Sequence, residues 1–548
     1  WVETFNTPFG TQQDVLRIVD AAAQSNANAL FVQVRRRGDS WYLDTKEPLT
    51  ESAGFGEPDS SGRPTLDPLR YLIEQAHARA IEVHAFVIVG AVNRDDPATR
   101  VPADPRHVFL EHVWDRTAGA PYDGSRQWAT RALPHNTTNT SYGGYRFGTE
   151  WYLDLGHPEA AAYTVDVLAH LVRQYAIDGI HLDRIRYPEA PIDAPRGINV
   201  GYNETSVARF KARFGSAARL YLDSDIGTGG ITAADVGHPR TDDPLWSQWR
   251  RDQVTDFVRR LYLTVKTIRP AVRVSAALIT FGSGPSAAGS FANTEPYWRV
   301  FQDWEGWARA GLVDLLVPMV YKRAHTTSEA TAFDDWSGFT VSTAHANHAL
   351  GLIGLGAYLN SVEGTIRQVR GARALGADGV VFYAVGSTIP GTTTSNSTNA
   401  AVASNPFSYP TAGLSTPKWP NSDFFSALRT GANGDGRTRF EAPSSTPLYN
   451  ETAATPSLSP RTWVLGSVPN ADGIEVVLEE TGTHATHTTR TDGNGFWGFS
   501  GLPAGTWRAT ARLAAGDVTS CAYRVETGVA VTIQMSPCGP RRRAVGVR

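Results

Sequence analysis

Asp183 ends a short apolar run in the stretch YAIDGIHLDRIRYPEAP (residues 175–191), with Arg184 and Arg186 directly behind it. A carboxyl group in this position is either half of a structural ion pair or a reactive group. Desolvation would raise its pKa, whereas a neighbouring guanidinium would lower its pKa and keep it ionised. A nucleophile or a cation-stabilising group must be ionised, so Asp183 is the leading catalytic candidate.

Cleavage of a glycosidic bond commonly requires a second carboxyl group. One group protonates the leaving oxygen while the other attacks or activates water, at a separation of about 5–10 Å. The candidate catalytic partners are Asp39, Glu150 and Asp154, with Asp334 or Asp335 as further candidates. Alternatively, Asp39 caps a turn, Asp154 is a loop or cap acid, and the last two are solvated.

Aromatic and polar side chains lie in the same segments and could bind a sugar. Flat rings offer apolar area and stacking faces at low entropic cost, although many such rings are simply core residues. The candidate substrate-binding residues are Arg35, Trp41, His84, Trp151, His181, Arg186, Tyr187, Tyr321 and Tyr383.

Motifs for other chemistries are missing from the sequence. It contains no HExxH, CxxC or phosphate-binding loop, and no GxSxG at a strand-to-helix turn. The glycine-rich FGSGPSAAGS near residues 281–290 lacks the lysine of a phosphate-binding loop, and scattered histidines are more often satisfied core residues than zinc ligands. We therefore expect no metal and no cofactor.

The elements that must position these residues follow one repeated pattern, a short apolar run followed by a polar loop and an amphipathic stretch. The predicted strands are Trp1–Phe5, Ala29–Arg35, Ile81–Val89, Gly179–Asp183, Val272–Ile279, Asp314–Tyr321, Gly351–Tyr358 and Gly379–Val385. Predicted helices between them include Gln12–Gln24, Pro68–Arg79, Pro158–Tyr175, Trp249–Ile268 and Val362–Leu375.

Eight strands alternating with helices predict an α/β fold, the (β/α)₈ TIM barrel. A doubly wound open sheet is the alternative, but no glycine-rich fingerprint follows the first strand. Catalytic residues of such barrels lie at the C-terminal ends of the strands. Long inserts at residues 90–150 and 186–245 should lie on that same face.

A second module follows a segment rich in Ser, Thr and Pro that begins near residue 388. Period-two alternation and turn signals over residues 462–538 predict an all-β sandwich without a convergent set of reactive residues. We place a catalytic barrel at residues 1–430, a linker at residues 431–461 and an accessory sandwich at residues 462–540.

Composition is that of an ordinary globular protein, with 41% hydrophobic and 19% charged residues among 548. The formal net charge of -3 gives no reason to expect nucleic acid as a partner, and no apolar run approaches the roughly 20 residues that span a bilayer. Cys521 and Cys538, the two cysteines, suit a disulfide in an oxidising compartment. We therefore expect an exported protein, either secreted or located in the periplasm or cell envelope.

Four segments in chain order resemble motifs of the glycoside-hydrolase-like barrel family that includes bacterial envelope lipoproteins hydrolysing peptide-free peptidoglycan glycans. The segments are FVQVRRRGDSWYL, DPLRYLIEQAHARAIEVHAF, WYLDLGHPEAAAYTVDVLAHLVRQYAIDGIHLDRIRYP and DWEGWARAGLVDLLVPMVY. The resemblance spans roughly residues 1–390 and implies a barrel that hydrolyses glycosidic bonds. It places Arg35, Asp39, His84, Asp183 and Tyr321 at matching positions of the family pattern.

The chain departs from that pattern in several places. Asp154 stands where the family usually has asparagine, VIVGAVN replaces an Asn-Pro-Tyr, and Arg184 replaces a second acid. The stretch DGIHLDRI also resembles the DGxDxDxE strand of chitinase-like barrels, but His181 and Ile185 replace an inner Asp and the catalytic Glu. The second module, with TDGNGFWGFSGLPAGTWRATA, resembles carboxypeptidase-regulatory or prealbumin-like sandwiches, which implies attachment or spacing.

The sequence thus indicates a glycoside hydrolase that uses paired carboxylates on a bacterial or environmental oligo- or polysaccharide, with peptidoglycan glycan strands among the candidates. A non-catalytic carbohydrate-binding or scaffold protein on a decayed barrel is the main alternative. A deacetylase or a lyase acting on the same polymer is a third.

Overall fold

In a computed structural model, the repeated strand–helix pattern forms a ring of parallel strands surrounded by helices. The structure describes residues 1–386, except residues 6, 52–54, 56–58, 62–63, 137, 195 and 361, together with residue 428 and residues 458–535. The strands of the ring are β1 (Ala29–Arg35), β2 (Glu82–Ile88), β3 (Gly179–Asp183), β4 (Arg273–Leu278), β5 (Leu315–Val320), β6 (Leu350–Gly356) and β7 (Gly379–Tyr383).

The first two residues close this ring. Strands β1 to β7 pair in parallel and in chain order. Val2 forms a parallel bridge with Val32 of β1, and on its other side Trp1 accepts a hydrogen bond from the backbone N–H of Val385 at 3.0 Å. The predicted first strand is therefore only a short bridge, and it fills the remaining place in the ring between β7 and β1. The predicted (β/α)₈ barrel is confirmed.

The helices cover the outside of the ring. They are α1 (Gln12–Gln24), α2 (Pro68–His77), α3 (Pro158–Gln174), α4 (Pro244–Ile268), α5 (Trp304–Arg309), α6 (Thr327–Ala346) and α7 (Val362–Ala374). Helix α4 begins five residues before the predicted Trp249, because Asp243 caps it by accepting from the N–H of Leu245 at 2.9 Å. Among the described residues, no helix combines the length and apolarity needed to cross a membrane.

Side chains that point into the ring form layers along the strands. On β3 the inward positions are Gly179, His181 and Asp183, because successive strand residues alternate between faces. His84 of β2 fills the space over Gly179 at the lower end. His181 packs edge-on against Phe86 in the middle of the barrel. Asp183 is therefore the inward residue of β3 that reaches the mouth, which is the open end of the barrel where the strands have their C-terminal ends.

Both long inserts form local structure beside this mouth. The first contains a small antiparallel sheet with the strand order Ala91–Asn93, Glu150–Tyr152, Arg146–Phe147, Thr140–Ser141. The second contains the hairpin of Ile192–Ala194 with Gly197–Ile198, and the helix Glu204–Phe214. The small antiparallel sheet of the first insert places Glu150 at the edge of the mouth.

The C-terminal residues form two facing sheets, as the alternating pattern predicted. Their strands are β8 (Trp463–Ser467), β9 (Glu475–Glu480), β10 (Thr486–Arg490), β11 (Phe496–Ser500), β12 (Gly505–Ala511), β13 (Val518–Val525) and β14 (Ala530–Gln534). One sheet has the order β11-β8-β14 and the other β10-β9-β12-β13. The predicted domain boundaries and the predicted disulfide depend on residues outside the described part of the chain, including Cys538, and stay predictions.

Arg461 joins the sandwich to the lower end of the barrel. Arg461 donates hydrogen bonds to the carbonyls of Gly311 and Val313 at 3.0 and 3.2 Å, and to those of Asn347 and His348 at 2.8 and 2.7 Å. These carbonyls precede β5 and β6, so they lie at the end of the ring opposite the mouth. Strand β11 also packs against α4, and Asp472 pairs with Arg209 of the second insert at 2.7 Å, so the sandwich lies along the side of the barrel as well as at its lower end.

Candidate active site

An open cleft of about 750 Å³ lies at the C-terminal ends of the strands. The segments after β1 and β2, the small antiparallel sheet, and the ends of β3 and β7 contribute to its walls. Its lining includes the predicted site residues Asp39, Glu150 and Tyr383, and the arginines Arg37, Arg94 and Arg184. This is the face on which barrels of this kind carry their active sites.

Asp183 lies at the mouth, with 17% of its side chain exposed. Its Oδ1 accepts a hydrogen bond from the backbone N–H of Arg184 at 2.7 Å and lies 3.5 Å from Nη1 of Arg186. Burial raises the pKa of Asp183, and the positive charge of Arg186 opposes that rise without cancelling it. A carboxyl group with a raised pKa is suited to donate a proton.

Glu150 is held by two guanidinium groups. Arg37 Nη2 donates to its Oε1 at 2.8 Å, and Arg184 Nη1 donates to its Oε2. The hydroxyl of Tyr152 donates to the same Oε2 at 3.1 Å. These donors favour the ionised carboxylate, which is the form that a nucleophile or general base needs.

Arg184 connects the two acids, since its backbone binds Asp183 and its side chain binds Glu150. Its φ of 51° lies in the left-handed region, which residues other than glycine seldom adopt and which is often associated with functional sites. Burial, together with the charges of Arg186 and Arg37, lowers the pKa of Arg184 to about 9. The sequence drew attention to Arg184 as a possible ion-pair partner of its neighbour and as a departure from the family pattern, but not as a link between two acids.

Asp39 also lines the cleft, but it stabilises its own loop. Its Oδ1 accepts from the backbone N–H of Arg37 at 3.0 Å, and its Oδ2 lies 3.7 Å from Arg36 Nη2. This resembles the turn-capping role that the sequence offered as an alternative. Asp39 is therefore the second candidate for the partner of Asp183.

The two further acids after the sixth predicted strand lie on helix α6. Asp335 accepts hydrogen bonds from the backbone N–H groups of Ser286 and Ala287 at 3.2 and 3.1 Å, and so fixes a neighbouring turn. Asp334 is exposed. Neither is among the residues that line the cleft.

Asp154 and Tyr187 lie outside the cleft. Asp154 is completely buried, and its Oδ1 accepts from Gly156 N–H at 2.8 Å, Ser206 Oγ at 2.9 Å and the Tyr187 hydroxyl at 3.3 Å. Burial raises the pKa of Asp154. This network joins the two inserts. Asp154, predicted as catalytic, and Tyr187, predicted as a substrate contact, therefore stabilise the walls around the cleft instead of lining it.

His181 and His84 lie inside the barrel rather than at its mouth. The indole of Trp1 can only donate, so Nε2 of His181 accepts from it at 2.9 Å and Nδ1 carries the proton that faces Ser275 Oγ at 2.9 Å. Burial lowers the pKa of His181 well below its usual range, so this ring is neutral. His84 stacks on Phe31, with ring centroids 4.5 Å apart.

Three other predicted substrate contacts are buried in the walls. Arg35 is fully buried, and its Nε and Nη2 each donate to the carboxylate of Glu47 at 2.7 Å. Trp41 is 3% exposed and Trp151 is fully buried. These side chains are buried behind the residues that line the cleft, so they do not contact a ligand bound there.

Tyr321, Tyr358 and Tyr383 form an aromatic cluster at the ends of β5, β6 and β7. Their ring centroids are 5.5 to 6.2 Å apart, and all three side chains are partly exposed. Burial raises the pKa of each phenol, so all three are neutral at physiological pH. The sequence predicted Tyr321 and Tyr383 but missed Tyr358, although all three residues mark strand ends in the same way.

Among the described residues, no group of three or more His, Cys, Asp or Glu side chains is arranged so that it could hold a metal ion.

Comparison with known proteins places these observations in a family. The family described as glycosyl hydrolase-like 10 matches residues 2–362. Glycosyl hydrolase YngK of Bacillus subtilis (strain 168) is 22% identical over 317 residues, which are 57% of this chain and 49% of that protein. Glycosyl hydrolase DigH of Escherichia coli (strain K12) is 22% identical over 330 residues, which are 57% of this chain and 58% of that protein. The chain thus spans about half the length of the curated relatives it matches.

Solved structures of low similarity were also found. The glycoside hydrolase domain of PgaB (BpsB) from Bordetella bronchiseptica has a TM-score of 0.40 at 13% identity, covering 68% of this chain and 88% of that one. A β-galactosidase from the psychrophilic Marinomonas ef1 has a TM-score of 0.42 at 9% identity, covering 73% of this chain and 58% of that one.

Proposed function

Because the chain belongs to the glycosyl hydrolase-like 10 family, we propose that it hydrolyses the O-glycosidic bonds of an oligo- or polysaccharide with Asp183 and Glu150 as its paired acids. One observation carries this assignment of the acids. Arg184 binds both carboxyl groups at the mouth of the barrel, Asp183 through its backbone and Glu150 through its guanidinium. Glycosidic cleavage commonly uses two carboxyl groups on either side of one bond, and Arg184 holds two of them at the mouth.

The two acids take different roles because their surroundings differ. Burial raises the pKa of Asp183, so Asp183 protonates the leaving oxygen. Glu150, surrounded by donors, stays ionised and either attacks the anomeric carbon or activates a water molecule. Tyr383, which lines the cleft, offers its ring face to a sugar. If Glu150 is only structural, Asp39 takes its role.

The substrate is a carbohydrate of bacterial or environmental origin, and peptidoglycan glycan strands are one candidate. We further propose that the protein is exported, either secreted or located in the periplasm or cell envelope. The two sparse cysteines support an oxidising compartment.

The decisive experiment measures new reducing ends released by the purified protein from a panel of bacterial and plant glycans. Turnover that is lost in both Asp183→Asn and Glu150→Gln supports the proposal. The anomeric configuration of the first product, followed by NMR, then assigns retention or inversion. Release of acetate or of an unsaturated ring without a new reducing end would indicate a deacetylase or a lyase instead.

A non-catalytic carbohydrate-binding protein is the second candidate function. The observation in its favour is that both acids already have arginine partners, at 3.5 Å for Asp183 with Arg186 and at 2.8 Å for Glu150 with Arg37. Binding of a glycan without turnover, unaffected by Asp183→Asn, would support this alternative.

A further inference from the structure

The inner part of the cleft contains more positive than negative charge. The charges of Arg37, Arg94 and Arg186 all act on Arg184, and the side chains of this group contact two carboxyl groups, those of Glu150 and Asp183. Arg94 is exposed, lines the cleft, and makes no side-chain ion pair or hydrogen bond with any described residue. Like charges this close are mutually unfavourable, so the arrangement favours an added anion.

Two donors in this group also lack acceptors. Within the part of the chain that the structure describes, Nε of Arg37 and Nε of Arg184 are buried without a hydrogen-bond partner. Buried N–H groups of native proteins are almost always paired, and an unpaired one is costly. Donors left open around a cleft therefore indicate a ligand that brings acceptor oxygens.

The other acids around the cleft offset this surplus only in part. Asp39 lies 3.7 Å from Arg36, whereas Glu51 and Asp95 share one arginine, Arg100, at 3.0 and 3.5 Å, which leaves one negative charge against the two surplus positive charges of the inner group. Asp104 pairs with Arg106 at 2.6 Å. The surplus around Arg184 is thus left for something that enters from solvent.

We propose that the cleft selects an anionic glycan and seats a carboxylate or sulfate group of one sugar ring between Arg94, Arg184 and Arg37. The inference rests on the proposed function, because it names the substrate class of the same site. The planar fork of arginine matches the paired oxygens of such a group. Selection follows because a neutral sugar would leave the guanidinium charges uncompensated.

Binding to matched pairs of immobilised oligosaccharides tests this. One set pairs uronic-acid oligosaccharides with their carboxyl-reduced counterparts, the other pairs sulfated oligosaccharides with their desulfated counterparts. We expect the anionic member of at least one set to bind about tenfold more tightly, with a preference that weakens as salt is added. The set that shows the preference identifies the anionic group.

Substitutions at one position locate the contact. Arg94→Gln should remove most of the preference, about tenfold, and Arg94→Lys should retain part of it because the charge remains. Arg309→Gln is the matched control, since this exposed arginine pairs with Glu305 of α5 and neither residue lines the cleft, and it should leave the preference unchanged. Equal affinity for both members of every pair, or an intact preference in Arg94→Gln, overturns the inference.

The two proposals fail in different ways. Hydrolysis of glycans with no preference for anionic members overturns only the inference about charge. A salt-sensitive anionic preference with no turnover of any glycan overturns only the proposed hydrolysis. Absence of binding to every member of both sets overturns the inference about charge.

Discussion

Arg184 and Glu150 lie 34 residues apart in the chain and form an ion pair within the cleft. Arg184 directly follows β3, whereas Glu150 belongs to the small sheet inserted after β2. The pair therefore fastens the insert to the barrel at the point where the two candidate acids meet. The position of Glu150 depends on a residue whose backbone also binds Asp183.

Removal of either acid should abolish most of the activity. Asp183→Asn and Glu150→Gln are each expected to lower kcat/KM about 10²- to 10⁴-fold, because each removes one step of acid–base or nucleophilic chemistry. Initial rates on a substrate from the glycan panel measure the loss. Asp334→Asn, on the exposed face of α6, is the control and should keep full activity. A larger loss in Asp39→Asn than in Glu150→Gln would make Asp39 the partner.

The pH dependence of kcat/KM should report the raised pKa of Asp183. A general acid works only when protonated, so activity should fall as the pH rises through a pKa above the usual aspartate range. Arg186 lowers that pKa, so Arg186→Gln should move the alkaline limb to higher pH. Rate profiles of the two proteins measure the shift. A limb that stays in place, or moves to lower pH, would contradict the role of Asp183 as the acid.

Tyr383 should contribute to substrate binding through its ring rather than its hydroxyl. Tyr383→Ala is expected to raise KM about 3- to 10-fold, the effect of losing one aromatic packing contact. Tyr383→Phe keeps the ring and should stay close to wild type. Steady-state kinetics separate the two substitutions, and an equal defect in both would mean that the hydroxyl matters instead.

The two inserts should be held together in a pH-dependent way by His135. Its ring lies 3.0 Å from a carboxylate oxygen of Asp193 and 3.1 Å from one of Asp235, and beside the ring of Tyr221. The two acids raise the pKa of His135 in the folded protein. Its stabilisation is therefore complete below the usual histidine pKa and is lost as the pH rises through the raised value.

Unfolding in denaturant at several pH values tests this. His135→Gln should cost about 1.5–3 kcal/mol in the free energy of unfolding at acidic pH, and the difference from wild type should shrink as the pH rises. Thr486→Ser, at an exposed position of β10 that does not titrate, should show no such trend. A difference that is constant across the pH range would exclude a charged His135.

Arg461 should stabilise the barrel, although this residue belongs to the C-terminal segment that forms the sandwich. Arg461→Ala leaves the carbonyls of Gly311, Val313, Asn347 and His348 without this donor, and we expect a loss of about 2–4 kcal/mol. Thermal unfolding measures the loss, with Arg508→Ala at an exposed position of β12 as the control. An unchanged Tm in Arg461→Ala would mean that these four hydrogen bonds add nothing to the stability of the barrel.

The sequence alone determined the barrel, because its signals are local. Runs such as Ala29–Arg35 and Gly179–Asp183 are continuous and apolar, as buried parallel strands require. Because side chains alternate between the two faces of a strand, the sequence also places His181 and Asp183 on the same face. Helix α6 escaped prediction because its Thr, Ser and Gly residues weaken the helical signal, while packing on β5 and β6 supplies the missing stability.

Only the tertiary structure decided which candidates meet in the cleft. Periodicity fixes the face of a side chain but not its depth, so His84 and Asp183 look alike in sequence, although one lies in the lower layer and the other at the mouth. Asp154 and Glu150 belong to the same short segment, and contacts with residues far along the chain bury the first and bring the second to Arg184. Burial and ion pairing are sums over distant neighbours, which no local pattern of residues can encode.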